Sequence, residues 1–229
     1  MNTLDAVSNV MKKHKNITVT AAKGNRIRVQ IVKGSNKIVS IPCRLSEDIA
    51  YLIAATMCDG HIRPDKYTII FENSNKRVIK KFVKKVRDVF ETEAKYRLVN
   101  DSRDGRMIRY RTEITSKPIT ILFNEVFGIP RGKKSDIIKV PDAIKNSGKG
   151  IKLSFIEGVF DTDGGRRQRG FGLSSASKTF RDDIAEMLSE FGFAPHMDEW
   201  INKKYNRKYY GLHFKNLGAD ADKQKGLNI

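Results

Sequence analysis

Apolar and polar residues alternate in three stretches near the N-terminus, NITVTAA, RIRVQIV and KIVSIP, and a period of two predicts β-strands. A short polar helix precedes them, so residues 1–45 read as a β-rich N-terminal extension. The period then changes. EDIAYLIAATM, opened by Ser46 as N-cap with Glu47 and Asp48 in the first turn and closed at Asp59-Gly60, predicts a helix. KYTIIFE predicts a strand. After it Val78, Ile79, Phe82, Val83, Val86, Val89 and Phe90 recur at helical spacing, leaving Lys76, Lys80, Lys81, Lys84, Lys85 and Arg87 on an outward, solvated side. KYRLVND and RMIRYRTEI predict two strands around the turn signal Arg103-Asp104-Gly105, and Pro118 opens a short helix closed by Gly128.

The pattern then repeats. A shift of 102 positions pairs Ile69 with Phe171, Phe71 with Leu173, Val78 with Phe180, Phe82 with Ile184, Val86 with Leu188, Val89 with Phe191 and Met107 with Tyr209, while the Asp-Gly pairs shift by 104. Two copies of one α+β unit follow, at 46–127 and 151–229, joined by a Gly-, Pro- and Lys-bearing linker at 128–150. The expected molecule is a pseudo-twofold one.

Charge sharpens the reading. The 229 residues carry 44 Lys and Arg against 26 Asp and Glu, a net charge of +18, which points to a polyanionic partner with nucleic acid first. A membrane surface falls behind it, because the Lys-rich helix is backed by valines rather than by Trp, Phe and Leu. No run of eighteen apolar residues and no secretory signal order is present, so an intracellular protein is expected, cytoplasmic and nucleoid-associated or organellar. Cys43 and Cys58 form neither a disulfide framework nor a CxxC pair, which argues against zinc.

Two stretches carry the chemistry. In LIAATMCDG (52–60) the small residues Ala54 and Cys58 lie four apart, as do Gly158 and Thr162 in IEGVFDTDG (156–164). Such faces let two helices approach closely. Packed in parallel, they bring Asp59 and Asp163 together at two helix C-termini, where carbonyls and carboxylates accumulate negative charge that a cation must relieve. Hard divalent ions such as Mg²⁺ bind through one or two carboxylates when phosphate oxygens complete the shell.

At these residues the chain resembles the LAGLIDADG homing endonucleases, over about residues 46–215. Gly158, Asp161, Asp163 and Gly164 match the second motif; the first keeps Asp59-Gly60 but has Ala54 for glycine and Met57 for the earlier acid. The resemblance implies two αββαββα repeats whose antiparallel sheets form a saddle over duplex DNA. It implies that Asp59 and Asp163 ligate the metals near the scissile phosphates, with the carbonyls of Cys58 and Thr162 as further ligands. Asp161 would support the helix interface. GIPRGKKS (128–135) resembles the stretch that places a basic residue near the phosphates, which makes Lys133 and Lys134 catalytic candidates; Lys223 and Lys225 are weak substitutes in the second half.

Strand alternation offers a reading surface. Arg109, Arg111 and Glu113 share one face of RMIRYRTEI, and Lys95 and Arg97 share one face of KYRLV; Arg166, Gln168, Lys208 and Tyr210 are expected counterparts in the second half. His61 reads as an exposed turn residue rather than a catalytic one, His196 and His213 lack the carboxylate partner of a general base, and small size at the helix interface accounts for Cys58.

The expected function is therefore a monomeric, Mg²⁺-dependent, site-specific double-strand DNA endonuclease. Mn²⁺ is expected to substitute and Ca²⁺ to permit binding only. The resemblance implies a long asymmetric target cut with short 3′ overhangs and a role in intron mobility; the Met1 start and missing splicing blocks favour an intron over an intein origin. The alternatives are an intron RNA maturase on the same scaffold and a non-catalytic DNA-binding regulator.

Overall fold

The computed structural model describes residues 3–32, 37–100, 108–167, 170–204 and 206–214. The expected turn at 103–105 lies outside them, as do Gln168, Lys223 and Lys225. At the centre, α2 (Glu47–Cys58) and α6 (Lys149–Asp163) run side by side. Their direction is parallel. Ser154 Oγ donates to the Glu47 carbonyl at 2.8 Å near the N-terminal ends, and a Cβ built on Gly158 would meet the Ala54 Cβ and the Tyr51 carbonyl at 2.8 Å midway. Glycine at 158 is thus required by the approach of the two backbones. Ser46 caps α2 by accepting from the Ile49 N–H.

Each central helix begins one repeat. The first continues with β4 (Gly60–Ile62), β5 (Thr68–Asn73), α3 (Lys76–Phe90), β6 (Tyr96–Asn100), β7 (Ile108–Thr115) and α4 (Lys117–Ile121), which passes into a π-helical turn at Leu122–Val126. The second continues with β8 (Gly165–Arg167), β9 (Gly170–Ser175), α7 (Lys178–Ser189), β10 (His196–Asn202) and β11 (Arg207–Phe214). Both sheets are antiparallel, with the orders β4-β5-β7-β6 and β8-β9-β11-β10, so the repeats share one topology. The α+β fold of two like units is therefore present.

The amphipathic pattern of α3 is realised as read: its seven periodic apolar residues are all buried, and Phe82 stacks on Phe71 of β5 with ring centroids 4.1 Å apart. In the second repeat Phe160 of α6 stacks on Phe171 of β9 at 5.6 Å. One face of each sheet is closed by helices and the other is left open.

The outward side of α3 departs from expectation. Lys81 reaches Glu157 and Asp161 of α6 at 2.7 and 2.8 Å and lies 4.4 Å above the Tyr51 ring; Lys85 pairs with Asp48. Helical periodicity marks these lysines as non-core, but only the packing of α3 beside the α2–α6 pair shows them carboxylates, Asp48 on α2 and Glu157 and Asp161 on α6.

Residues 3–42 form α1 (Thr3–Lys12) and a sheet of β1 (Ile17–Lys23), β2 (Arg26–Ile31) and β3 (Ile38–Pro42) in sequential order. This sheet and α1 pack on α3, α4 and the π-helical turn, and Met11, Ile27, Val29 and Ile41 join the same core as Phe90 and Phe123. The segment between the repeats is also packed: Ile129, Ile138, Val140 and Ile144 are buried, α5 (Asp142–Lys145) is a single turn, and Arg131 bridges to Ile62 on β4.

Candidate active site and nucleic-acid interface

Asp59 is the C-cap of α2, its N–H donating to the Ala55 carbonyl at 3.1 Å, and Asp163 is the last residue of α6. The parallel packing brings both to one place. Burial and, next, the Asp163 charge push Asp59 up to about 6, against the pull of Asn73, Lys134 and Arg109. Asn73 on β5 donates to Asp59 Oδ2 at 2.6 Å. A cleft of about 390 Å³ opens here, lined by Asp59, Glu72, Asn73, Arg109, Asp161 and Thr162 among others.

Cys58 and Thr162, paired across the helix interface, stand beside the carboxylates. Desolvation and then Asp163 hold the Cys58 thiol well above its ordinary range, so it is no thiolate nucleophile. Thr162 Oγ1 donates back to the Gly158 and Val159 carbonyls at 2.8 and 3.1 Å.

Lys133 and Lys134 part company. Lys134 is buried, its Nζ donating to the carbonyls of Met57 and, at 3.2 Å, Cys58, the free carbonyls at the end of α2. Desolvation lowers its pKa, opposed by Cys58, Asp163 and Asp59. The ammonium thus belongs to the carboxylate cluster, whereas Lys133 is exposed to solvent.

Asp161 is a strut between helices. It accepts from Tyr51 Oη and from Lys81 Nζ, each at 2.8 Å. Sequence reasoning missed Tyr51, Asn73 and Lys81. Only Asn73 left a trace, as a polar residue ending an apolar strand.

On the open face of the first sheet the expected residues gather with one more. Arg111 lies opposite Glu72 of β5 and pairs with it, Arg109 approaches Glu72 at 4.0 Å, and Arg97 bonds Glu113 at 2.9 Å. Lys95, just before β6, is exposed and stands 3.7 Å from Glu93. Together they form a ribbon of alternating charge.

The second sheet differs from the reading. Tyr210 is paired with Ser175 and lies under Arg181 of α7, 5.5 Å from its guanidinium, so it is on the helix-covered face. Lys208, two residues away, shares that face and bonds Glu199 at 2.8 Å; Arg166 opposes Phe171, which packs on α6. The open face instead carries Trp200 stacked on Tyr209 at 6.1 Å, with His213 and Asp198; contrary to the expectation, His213 Nδ1 has a carboxylate neighbour there, Asp198 Oδ2 at 3.8 Å, supplied by the adjacent strand. The shift of 102 held this signal: it pairs Met107 with Tyr209, hence Arg109 with Gly211 and Arg111 with His213, which puts the odd positions of β11 on the open side.

Among the described residues no group of three or more His, Cys, Asp or Glu gathers as a ligand set. The donors the structure gathers here are the Asp59 and Asp163 carboxylates beside the α2-end carbonyls that Lys134 caps, all oxygen. Such a set fits Mg²⁺ or Mn²⁺ with water and phosphate filling the remaining positions. Burial raises Asp59 first and repulsion from Asp163 adds to it; a cation would relieve that repulsion.

Residues 150–218 match the model of the LAGLIDADG-like domain. Of the curated relatives, the replication factor C small subunit of Methanocaldococcus jannaschii is 27% identical over 168 residues, 73% of this chain and 9% of the relative; the probable translation initiation factor IF-2 of the same organism is 34% identical over 122 residues, 47% of this chain and 10% of the relative. The chain thus spans about a tenth of each. Among solved structures, I-DmoI in complex with DNA and Mn is matched with a TM-score of 0.54 at 13% identity, over 81% of this chain and 96% of that one. The N-terminal LAGLIDADG domain of DUF199/WhiA is matched at 0.54 and 10% identity, over 80% and 81%. Among the described residues no helix is long and apolar enough to cross a membrane. The LAGLIDADG-like domain model thus matches the second repeat, the first repeat has the same strand order, and the two together share the fold of I-DmoI.

Proposed function

We propose that this chain is a metal-dependent, site-specific double-strand DNA endonuclease. One observation supports the reading: Asp59 and Asp163 stand together at two parallel helix ends, where burial first and the Asp163 charge next push Asp59 up to about 6. A purely structural pair of acids in that position would only repel phosphate and one another.

In this reading Asp59 and Asp163, with the carbonyls of Cys58 and Thr162, hold Mg²⁺ or Mn²⁺. When bound, the metal supplies an activated water and stabilises the leaving 3′ oxygen. Asn73 fixes the Asp59 carboxylate, and Lys134 holds the end of α2 while offering a buried positive charge to the scissile phosphate. Lys133, on the surface, attracts phosphate. The open face of the first sheet, with Lys95, Arg97, Arg109, Arg111 and Glu113, reads base edges, Arg pairing with guanine and Glu accepting from cytosine. The solved complex of I-DmoI with DNA and Mn supports this choice of partner and metal. Likeness to short segments of a replication factor and of an initiation factor supports a module carried within unrelated hosts, as a mobile-element endonuclease would be.

Cleavage of a plasmid library bearing random inserts, with sequencing of the ends, tests it. Linear product from a narrow set of inserts in Mg²⁺, absent in EDTA and in Asp163→Asn, is expected. Retention of selected inserts on the protein without cutting in Mg²⁺ or Mn²⁺ would make it a binding protein instead.

A further inference from the structure

On the rest of the described surface the cations are mixed with acids: Arg97 sits beside Glu113, Arg207 beside Asp136, Lys178 beside Asp182 and Lys208 beside Glu199, while others such as Lys66, Lys80 and Lys139 are exposed without one. The N-terminal sheet is different. Lys13, Lys15, Lys23, Arg28, Lys37 and Arg44 are exposed with no carboxylate partner among the described residues, and Asp5 is the sole acid in residues 1–45. Among the described residues of this segment Arg26 pairs with Glu91 and His14 with Glu125, both in the first repeat.

Their placement follows from register. Val19, Val29 and Val39 are partners across the three strands, as are Ile27 and Ile41, and these close on the core. Arg28, opposite Ser40, projects from the outer face with Thr18 and Thr20 exposed beside it. Lys15 and Lys37 flank one end of the strands; Lys23, at the β1–β2 turn, and Arg44 flank the other. Strands of this length span about 20 Å, a stretch of duplex that carries about a dozen phosphates.

This surface is on the wrong side for the groove. The sheet packs on α3, α4 and the π-helical turn, which close the covered face of the β4–β7 sheet, so the open groove face points away from it. DNA lying in the groove does not neutralise these cations.

We propose that the outer face of the N-terminal sheet is a second nucleic-acid site, taking the sugar-phosphate backbone of a duplex DNA segment other than the one in the groove. Duplex is favoured over single strands because residues 1–45 contain no Phe, Trp or Tyr on which unpaired bases could stack. Contacts are to phosphate, without base reading. The proposal rests on the groove reading only in calling the site the second one.

Titration of the full chain with a random-sequence duplex, followed by native mass spectrometry and sedimentation, tests it. Two duplexes per chain are expected, the weaker event having a log K against log salt slope of about −3 to −4 for four phosphates. The exposed quadruple variant K13Q/K15Q/K23Q/R28Q, shown folded by its melting curve, is expected to keep the first event and lose the second. R109Q/R111Q is expected to weaken the first and keep the second; indifference of both events to that variant counts against the groove reading alone. Saturation of the unaltered chain at one duplex overturns the proposal. So does a quadruple variant that still takes two, or one that loses single-stranded RNA while retaining both duplexes.

Discussion

Asn73 Nδ2 donates to Asp59 Oδ2 at 2.6 Å while its own Oδ1 accepts from the Asn75 N–H at 2.7 Å. The second bond sets which way the amide points, so the donor faces the carboxylate. Asn73→Ala removes a stabiliser of the Asp59 anion; hydrogen bonds to charged groups contribute about 1.5–3 kcal/mol. Mn²⁺ affinity by calorimetry is expected to fall at least about tenfold at neutral pH. Unchanged affinity would remove Asn73 from the site.

Asp59 also sets a pH dependence. In the metal-free protein it takes up a proton as pH falls through about 6, and that proton competes with the metal. Metal affinity and cleavage are expected to drop by about a factor of ten per unit below that point. A cleavage profile flat down to the ordinary carboxylate range would contradict the burial and repulsion described here.

The same shift runs against stability at neutral pH. A raised carboxylate pKa gives a contribution present below the ordinary value of 3.8 and lost as pH rises through about 6. Asp59→Asn is therefore expected to raise the neutral-pH stability of the metal-free protein by about 2 kcal/mol, and to leave the pH 4 value nearly unchanged. Thermal melts at both pH values check it. Cleavage is expected to be lost in the same variant.

Gly158→Ala tests the helix seam. The added Cβ would stand 2.8 Å from the Ala54 Cβ and the Tyr51 carbonyl, and overpacking of this kind costs about 1–3 kcal/mol. Parting the helices also moves Asp59 away from Asp163. Urea denaturation is expected to show the loss, and the acid limb of cleavage to move to lower pH as the repulsion weakens.

Deletion of residues 1–44 is expected to unfold or strongly destabilise the first repeat rather than merely remove an arm. Met11, Val29 and Ile41 are fully buried in the common core, and Arg26 donates to the Val89 carbonyl at the end of α3. A truncated chain that melts as cooperatively and as high as the full one would show the sheet to be an appendage.

The pattern along the chain determined a good deal by itself. Period-two and helical spacing placed α2, α3, α6 and α7, the duplication followed from apolar positions a fixed distance apart, and small residues four apart marked the seam that unites Asp59 with Asp163. These are properties of local periodicity, which a linear chain records directly. Even the misplacement of Lys208 and Tyr210 was a one-residue slip, and in a strand one residue is the whole difference between faces.

Tertiary structure alone decided the rest. Lys81 on Asp161, Lys134 on the end of α2, Asn73 on Asp59 and Glu72 among the arginines are pairings between residues distant in sequence. A charged residue at an exposed-looking position carries no mark of the partner it will meet, since electrostatic and hydrogen-bond geometry depend on which elements pack and at what register, not on the order of residues within any one of them.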